Sequence, residues 1–163
     1  MKIILDACSI INLVNATGLE ACAGLERCEL YVGPIVFGEC SEGSAQELIS
    51  LIKSGRILQI PDDEIPIDAF LDMLAEHNLG EGETECIAGA SISDFIVCSD
   101  DGRARYIGRT LLGQNRVIGS ARLLKWCVEE DILICTEASS HFSIMKDMGG
   151  FLPTLADAFF CPG

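Results

Sequence analysis

The sequence predicts an α/β fold around a central parallel sheet, and three observations carry that expectation. Short β-rich runs such as Ile3-Ile4-Leu5 and Phe95-Ile96-Val97-Cys98 lack polar alternation, as strands covered on both faces do. These runs alternate along the chain with segments of helical apolar spacing. The composition, 49% hydrophobic and only 6% aromatic, describes a globular protein with an aliphatic core. At 163 residues the chain is expected to form one domain spanning 1–163. It shows no internal repeat, low-complexity tract or linker.

Taken in order, residues 2–6 (KIILD) read as a buried strand ending in an aspartate. Residues 10–16 read as helix, with Asn12 and Asn15 among apolar neighbours, and 19–27 as a second short helix. Residues 29–32 (ELYV) are a strand candidate. Gly33-Pro34 then opens a helix that carries Glu39, because proline suits a helix's first turn. Residues 44–54 have helical spacing closed by Gly55. Residues 57–60 (ILQI) are a strand stopped by Pro61, and 66–77 an amphipathic helix. A glycine-marked helix starts near Glu81 and runs to about 93. Residues 95–99 (FIVCS) form a strand ending at Asp100-Asp101. Helices follow at 103–112 and 120–129, with a short strand at 116–118 between them. Residues 132–135 (ILIC) are an extended candidate, and the tail to Gly163 holds one or two short helices.

Several classes are excluded by composition. No apolar run reaches the roughly 18 residues of a membrane span. Asp6 interrupts the first apolar stretch and no small-residue cleavage site follows, so an export signal is not expected. The protein is therefore expected to be soluble and cytoplasmic. Nine cysteines, an odd number with no C-x-x-C pair, read as reduced core residues. Zinc is disfavoured, with only His77 and His141 on offer. The net charge of −14 argues against a general nucleic-acid coat. Yet six of the eleven basic residues (Arg103, Arg105, Arg109, Arg116, Arg122 and Lys125) fall within one stretch. Such a chain can bind RNA locally and attract a basic protein elsewhere.

Four acids stand in informative places. Asp6 and Asp100 end strands, Glu39 follows the second strand, and Glu83 lies in a helix's first turn. Ligands of parallel sheets bind beyond the strands' carboxyl ends. Crowded carboxylates repel one another, so a dedicated cluster makes sense around a divalent cation, Mg²⁺ or Mn²⁺ for hard oxygen donors. Phosphodiester hydrolysis is the chemistry that most often uses such a cluster. Each acid also has a plainer reading. Asp6 can cap a helix, Glu39 can be a solvated helix residue, and Glu81, Glu83 and Glu85 can complement a helix dipole. Asp100-Asp101-Gly102 can be an ordinary turn. For Glu81 and Glu85 the plainer reading is preferred.

Five segments in order resemble the PIN-domain family: IILDACSIINL, GPIVFGEC, GEGETECIAGA, FIVCSDDGRARYIG and VIGSARLL, together covering about residues 1–125. That resemblance implies a three-layer α/β/α sandwich with a parallel sheet of four or five strands. It implies a Mg²⁺- or Mn²⁺-dependent endoribonuclease acting on single-stranded RNA. Asp6, Glu39, Glu83 and Asp100 would be catalytic and bind metal, with Asp101 an alternative to Asp100. Ser9 and Asn12 would hydrogen-bond the first carboxylate or a water. Arg103, Arg105 and Arg109 would grip RNA phosphates, Arg105 and Arg109 sharing a helix face. Small prokaryotic members resemble toxins of toxin–antitoxin pairs, which implies a basic antitoxin partner and a homodimer. Cys8 stands where the family often has Ser or Thr, and Glu83 where many members have Asp.

Two other readings compete. One is a PIN-like module that binds RNA or a basic protein without cleaving. The other is a different α/β enzyme with an aspartate after its first strand. Haloacid-dehalogenase-like phosphatases need a second Asp where Cys8 stands, response-regulator receivers need an early acidic pair, and GEGET lacks the ending of a P-loop.

Overall fold

The computed structural model describes residues 1–150, 152–156 and 158–161. Five strands form one sheet: β1 (Lys2–Leu5), β2 (Glu29–Val32), β3 (Ile57–Gln59), β4 (Phe95–Cys98) and β5 (Val117–Ile118). Their order is β3-β2-β1-β4-β5, and every pairing is parallel. Nine helices are seen among the described residues: α1 (Ala7–Asn15), α2 (Leu19–Cys22), α3 (Pro34–Glu39), α4 (Glu42–Lys53), α5 (Ile67–His77), α6 (Glu81–Ile92), α7 (Gly102–Leu112), α8 (Ser120–Glu129) and α9 (Cys135–Asp147). Helices α1, α2, α4, α8 and α9 pack among themselves on one side, while α5, α6 and α7 pack together on the other. This is the expected α/β sandwich.

The strand order decides where a site can form. From β1 the chain moves outward to β2 and β3, then returns to the far side of β1 to lay down β4 and β5. The direction of winding reverses between β1 and β4, which leaves a crevice beyond their carboxyl ends. Leu5 and Cys98 are partners at that end of the pair, so the residues after them, Asp6 and Ser99–Asp101, emerge side by side.

The core is aliphatic, as the composition implies. Ile3, Ile4, Leu5, Ile10, Leu13, Leu30, Leu48, Ile57, Leu123 and Leu124 are buried almost completely. Helix α6 departs from the usual amphipathic pattern. Gly82 and every residue from Thr84 to Ala90 are buried. Small residues let it lie close to the sheet: a Cβ on Gly89 would stand 3.2 Å from Ile65 and 3.6 Å from Ile4. A helix buried on nearly all sides holds its first turn rigidly, and that turn carries Glu83.

Helix limits follow local chemistry. Asp101 caps α7 by accepting from the Arg103 and Ala104 N–H groups, both at 2.8 Å. Asn78 ends α5 in the left-handed conformation, φ 49°. Four expectations are corrected. The helix expected over 19–27 stops at Cys22, because Gly24 lies in the turn that follows. The strand expected at 116–118 begins at Val117, Arg116 closing a short 3-10 turn. Residues 132–134 are irregular and Cys135 already starts α9; Ile132, Leu133 and Cys135 pack onto the core, Ile134 is exposed, and none of them pairs with a strand. Cysteines are not all reduced either: Cys135 and Cys161 form a disulfide, and the other seven are free. Their spacing of 26 residues gives no sequence cue, since only the folded-back tail brings them together.

Arg116 is structural. Its guanidinium donates to the carbonyls of Ala90, Ser93 and Phe95, closing the C-terminal end of α6 against β4. Charge-assisted hydrogen bonds of this kind contribute roughly 1.5–3 kcal/mol. Arg116→Met is therefore expected to lower unfolding stability by about 2–3 kcal/mol in urea titration, and a loss under about 0.5 kcal/mol would contradict this role.

Candidate active site

Asp6 leaves β1 and caps α1. Its carboxylate is buried and accepts three hydrogen bonds: the Ala7 N–H at 2.8 Å, the Cys8 thiol at 3.0 Å and the Ser99 hydroxyl at 2.7 Å. Burial raises its pKa above the ordinary 3.8; these bonds oppose the rise, and the charge of Asp101 adds to it. Cys8 also accepts from the Asp100 N–H at 3.3 Å. Burial first, and then the Asp6 charge, pushes this thiol up to about 12. It is thus a protonated donor at neutral pH, and so can do the work of the hydroxyl often found at this place.

Glu83 is half-buried in the first turn of α6, where its carboxylate accepts the Gly80 N–H at 2.9 Å. Its pKa is raised by burial, against that hydrogen bond, and further by the charges of Asp101, Asp6 and Glu39. Glu39, the last residue of α3, is exposed and accepts the Gly82 N–H at 3.0 Å. A Cβ on Gly82 would lie 2.2 Å from a Glu39 carboxylate oxygen and would push that side chain aside. Asp6, Glu39, Glu83 and Asp101 therefore share one electrostatic neighbourhood, contributed by four separate segments.

Asp100 is placed differently. One oxygen accepts from Asn12 Nδ2 at 2.9 Å and the Ser120 hydroxyl at 2.6 Å, and the other accepts the Ser120 N–H at 2.9 Å. It ties the end of β4 to α1 and α8. Asn12 thus reaches Asp100 rather than Asp6. Ser9 is buried beside the Cys98 thiol and has no bond to Asp6, whose side-chain donors are Cys8 and Ser99.

Glu85 sits almost wholly buried, 2% exposed. Its two oxygens accept the Ile35 and Val36 N–H groups at 3.0 and 2.9 Å, at the start of α3. It fixes the helix whose far end is Glu39. The alternation Glu81, Glu83, Glu85 gave no sign of this, because the acceptor–donor pairing spans 50 residues. Ser99 and Ser120 were equally invisible as partners of the two aspartates.

Of the arginines, Arg103 is exposed and donates to the His77 carbonyl at 2.9 Å. Arg105 and Arg109 instead line a cavity of about 390 Å³ together with Arg122, and a second cavity of about 440 Å³ that reaches Asp100.

Among the described residues no three carboxylate, imidazole or thiol groups are already gathered as a metal-ligand set. The donor chemistry nevertheless fits a hard dication. The neighbouring groups are carboxylates, two of them raised by burial and mutual charge. Among the described residues none of the four forms an ion pair within 4.0 Å. Fold and site define a class: α/β proteins with carboxylates grouped at the carboxyl edge of a parallel sheet. Within that class the chain belongs to the PIN-domain family, whose sequence model matches residues 2–155. PIN domains are generally nucleases, and they typically use divalent metals. No curated protein and no solved structure matches the chain. No described helix is long and apolar enough to cross a membrane.

Two outcomes follow from this geometry. A Cβ on Gly33 would lie 2.1 Å from the Glu85 carboxylate. Gly33→Ala is expected to cost about 2 kcal/mol by displacing a buried acceptor; an unchanged urea midpoint would refute the role assigned to Glu85. The second concerns pH. Asp6, Glu83 and Glu85 all lie above their ordinary values of 3.8 and 4.5. The folded state then retains protons that the unfolded chain has released. Their contribution to stability falls as pH rises from those ordinary values through the raised ones, and returns on acidification. Without added metal, Glu83→Gln should raise the melting midpoint at pH 7 by about 2–4 °C and flatten its pH dependence. Gln can still accept the Gly80 N–H. Equal destabilisation at pH 5 and pH 7 would show that charge is not the burden.

Proposed function

We propose that the protein is a Mg²⁺- or Mn²⁺-dependent endoribonuclease that hydrolyses single-stranded RNA. The observation that carries this reading is the shared neighbourhood of Asp6, Glu39, Glu83 and Asp101: burial first, and then neighbouring carboxylate charge, raises Asp6 and Glu83, and none of the four has an ion-pair partner among the described residues. In this reading Asp6, Glu39, Glu83 and Asp101 hold the cation. Asp100, whose carboxylate Asn12 and Ser120 tie to α1 and α8, acts as a positioning residue.

A bound dication would supply Lewis-acid stabilisation of the phosphodiester and a water made acidic enough to attack near neutral pH. The chain's own residues prepare for it. Cys8 and Ser99 orient the Asp6 carboxylate, and Glu85 holds α3 so that Glu39 faces the first turn of α6. Glu39 and Glu83 each use one carboxylate oxygen on the Gly82 and Gly80 N–H groups, and the other oxygen of each would be left for the ion. Loss of a supporting partner of this kind typically costs about 10–100-fold.

An acidic surface and a run from Ile57 to Gly102 without lysine or arginine favour a basic protein partner. This is consistent with the toxin of a toxin–antitoxin pair, acting in the cytoplasm and forming homodimers. The test is cleavage of a labelled single-stranded RNA with Mn²⁺. Asp6→Asn and excess EDTA are each expected to reduce the rate at least about a hundredfold, and Ser120→Ala about tenfold. Cleavage that survives both chelator and Asp6→Asn would end the nuclease reading. RNA binding without any metal-dependent cleavage would leave a non-catalytic binding module.

A further inference from the structure

We infer that the cleft between α7, β5 and the C-terminal segment seats single-stranded RNA by the phosphates flanking one nucleotide, through Arg105, Arg109 and Arg122, without a metal ion. The inference rests on the nucleic-acid reading of the neighbouring carboxylates, and it assigns to Arg122 a contact that the sequence did not single out.

Four observations support it. Arg105 and Arg109 stand one turn apart on α7, and Arg122 comes from the first turn of α8. None of the three forms an ion pair with a described residue, whereas Arg27 and Arg56 do. The Arg109 Nε is shielded from solvent and has no acceptor among the described residues. Arg105 is half-buried, and burial together with the adjacent Arg109 charge lowers its pKa. Two guanidiniums side by side, with the Asp100 carboxylate near Arg105 but not in an ion pair with it, carry both a repulsion and an unmet donor, the latter costing about 1–3 kcal/mol. A phosphate between them removes both, and guanidinium forks match phosphate oxygens two at a time.

The cleft is also continuous with the candidate active site. Both cavities share Arg105, Arg109 and Pro153, and the second is bounded by Asp100. The close approach of the Asp100 and Arg105 side chains depends on Gly119, whose Cβ would lie 2.9 Å from Asp100 Oδ1 and 2.8 Å from Arg105 Nη1. A volume of about 390 Å³ takes one nucleotide and no duplex. Its far wall is apolar, with Leu155 and Phe159 available to a base. A chain threaded here arrives at the carboxylates with its backbone already held.

The experiment is equilibrium binding of a short 2′-O-methyl single-stranded oligonucleotide in excess EDTA, from about 50 to 200 mM salt. The logarithmic slope of affinity against salt should fall by about 0.7 for each phosphate that is no longer neutralised. Arg122→Gln and Arg109→Gln are each expected to show that fall and to weaken binding about fivefold at the lowest salt. Arg56→Gln, which breaks only the surface pair with Glu20, should change neither. Arg122 is exposed, so its variant tests the cleft even if Arg109→Gln fails to fold. An unchanged slope in Arg122→Gln would overturn the proposal. So would equal weakening in Arg56→Gln, or displacement of the oligonucleotide by polyglutamate at the same concentration, which would assign the cleft to an acidic protein segment. Arginine-dependent binding without Mn²⁺-dependent cleavage would sink the nuclease reading and leave the cleft standing. Cleavage indifferent to these arginines would sink the cleft alone.

Discussion

Strands β1 and β4 lie side by side at the middle of the sheet, far apart in the chain, and they end together. Their parallel pairing sets the spacing of everything above them. The Ser99 hydroxyl reaches across to Asp6, the Asp100 N–H reaches back to Cys8, and Asp101 projects its charge onto both Asp6 and Glu83. A slip of one residue in this register would turn each of these side chains to the opposite face. The complete burial of Ile3, Ile4 and Leu5 makes such a slip very costly, so the aliphatic core is what holds the polar edge in place.

Like charges at that edge would separate if nothing held them. The solution here is backbone N–H groups rather than basic side chains. Asp6, Glu39, Glu83, Glu85 and Asp101 each accept from at least one amide, mostly at or near a helix start where donors are otherwise unmet. Amides hold a carboxylate in place without neutralising it. The edge is therefore held without a neutralising side chain among the described residues, which a lattice of arginine pairs would supply.

Much of this was legible in the sequence. Apolar runs without alternation gave the parallel sheet, Pro34 and the glycines around Gly80 gave two helix starts, and the acids at strand ends pointed to the crest. What escaped were the relations between distant segments. Glu85 read, like Glu81, as an acid complementing a helix dipole until burial set it against α3. Asp100 and Asp101 are adjacent and chemically alike, and only the partners Asn12 and Ser120, from other helices, tell them apart. The Cys135–Cys161 bridge depends on the path of the tail, and 132–135 read as extended because an apolar run has no period to separate strand from packed turn.

The sulfur beside Asp6 has a consequence for reactivity. Peroxides and alkylating agents attack thiolates, and a group that holds its proton up to about pH 12 offers almost none at neutral pH. Replacing an oxygen by the more oxidisable element has therefore not made this crevice a redox liability. The burial that, with the Asp6 charge beside it, keeps the proton in place also keeps the atom chemically quiet.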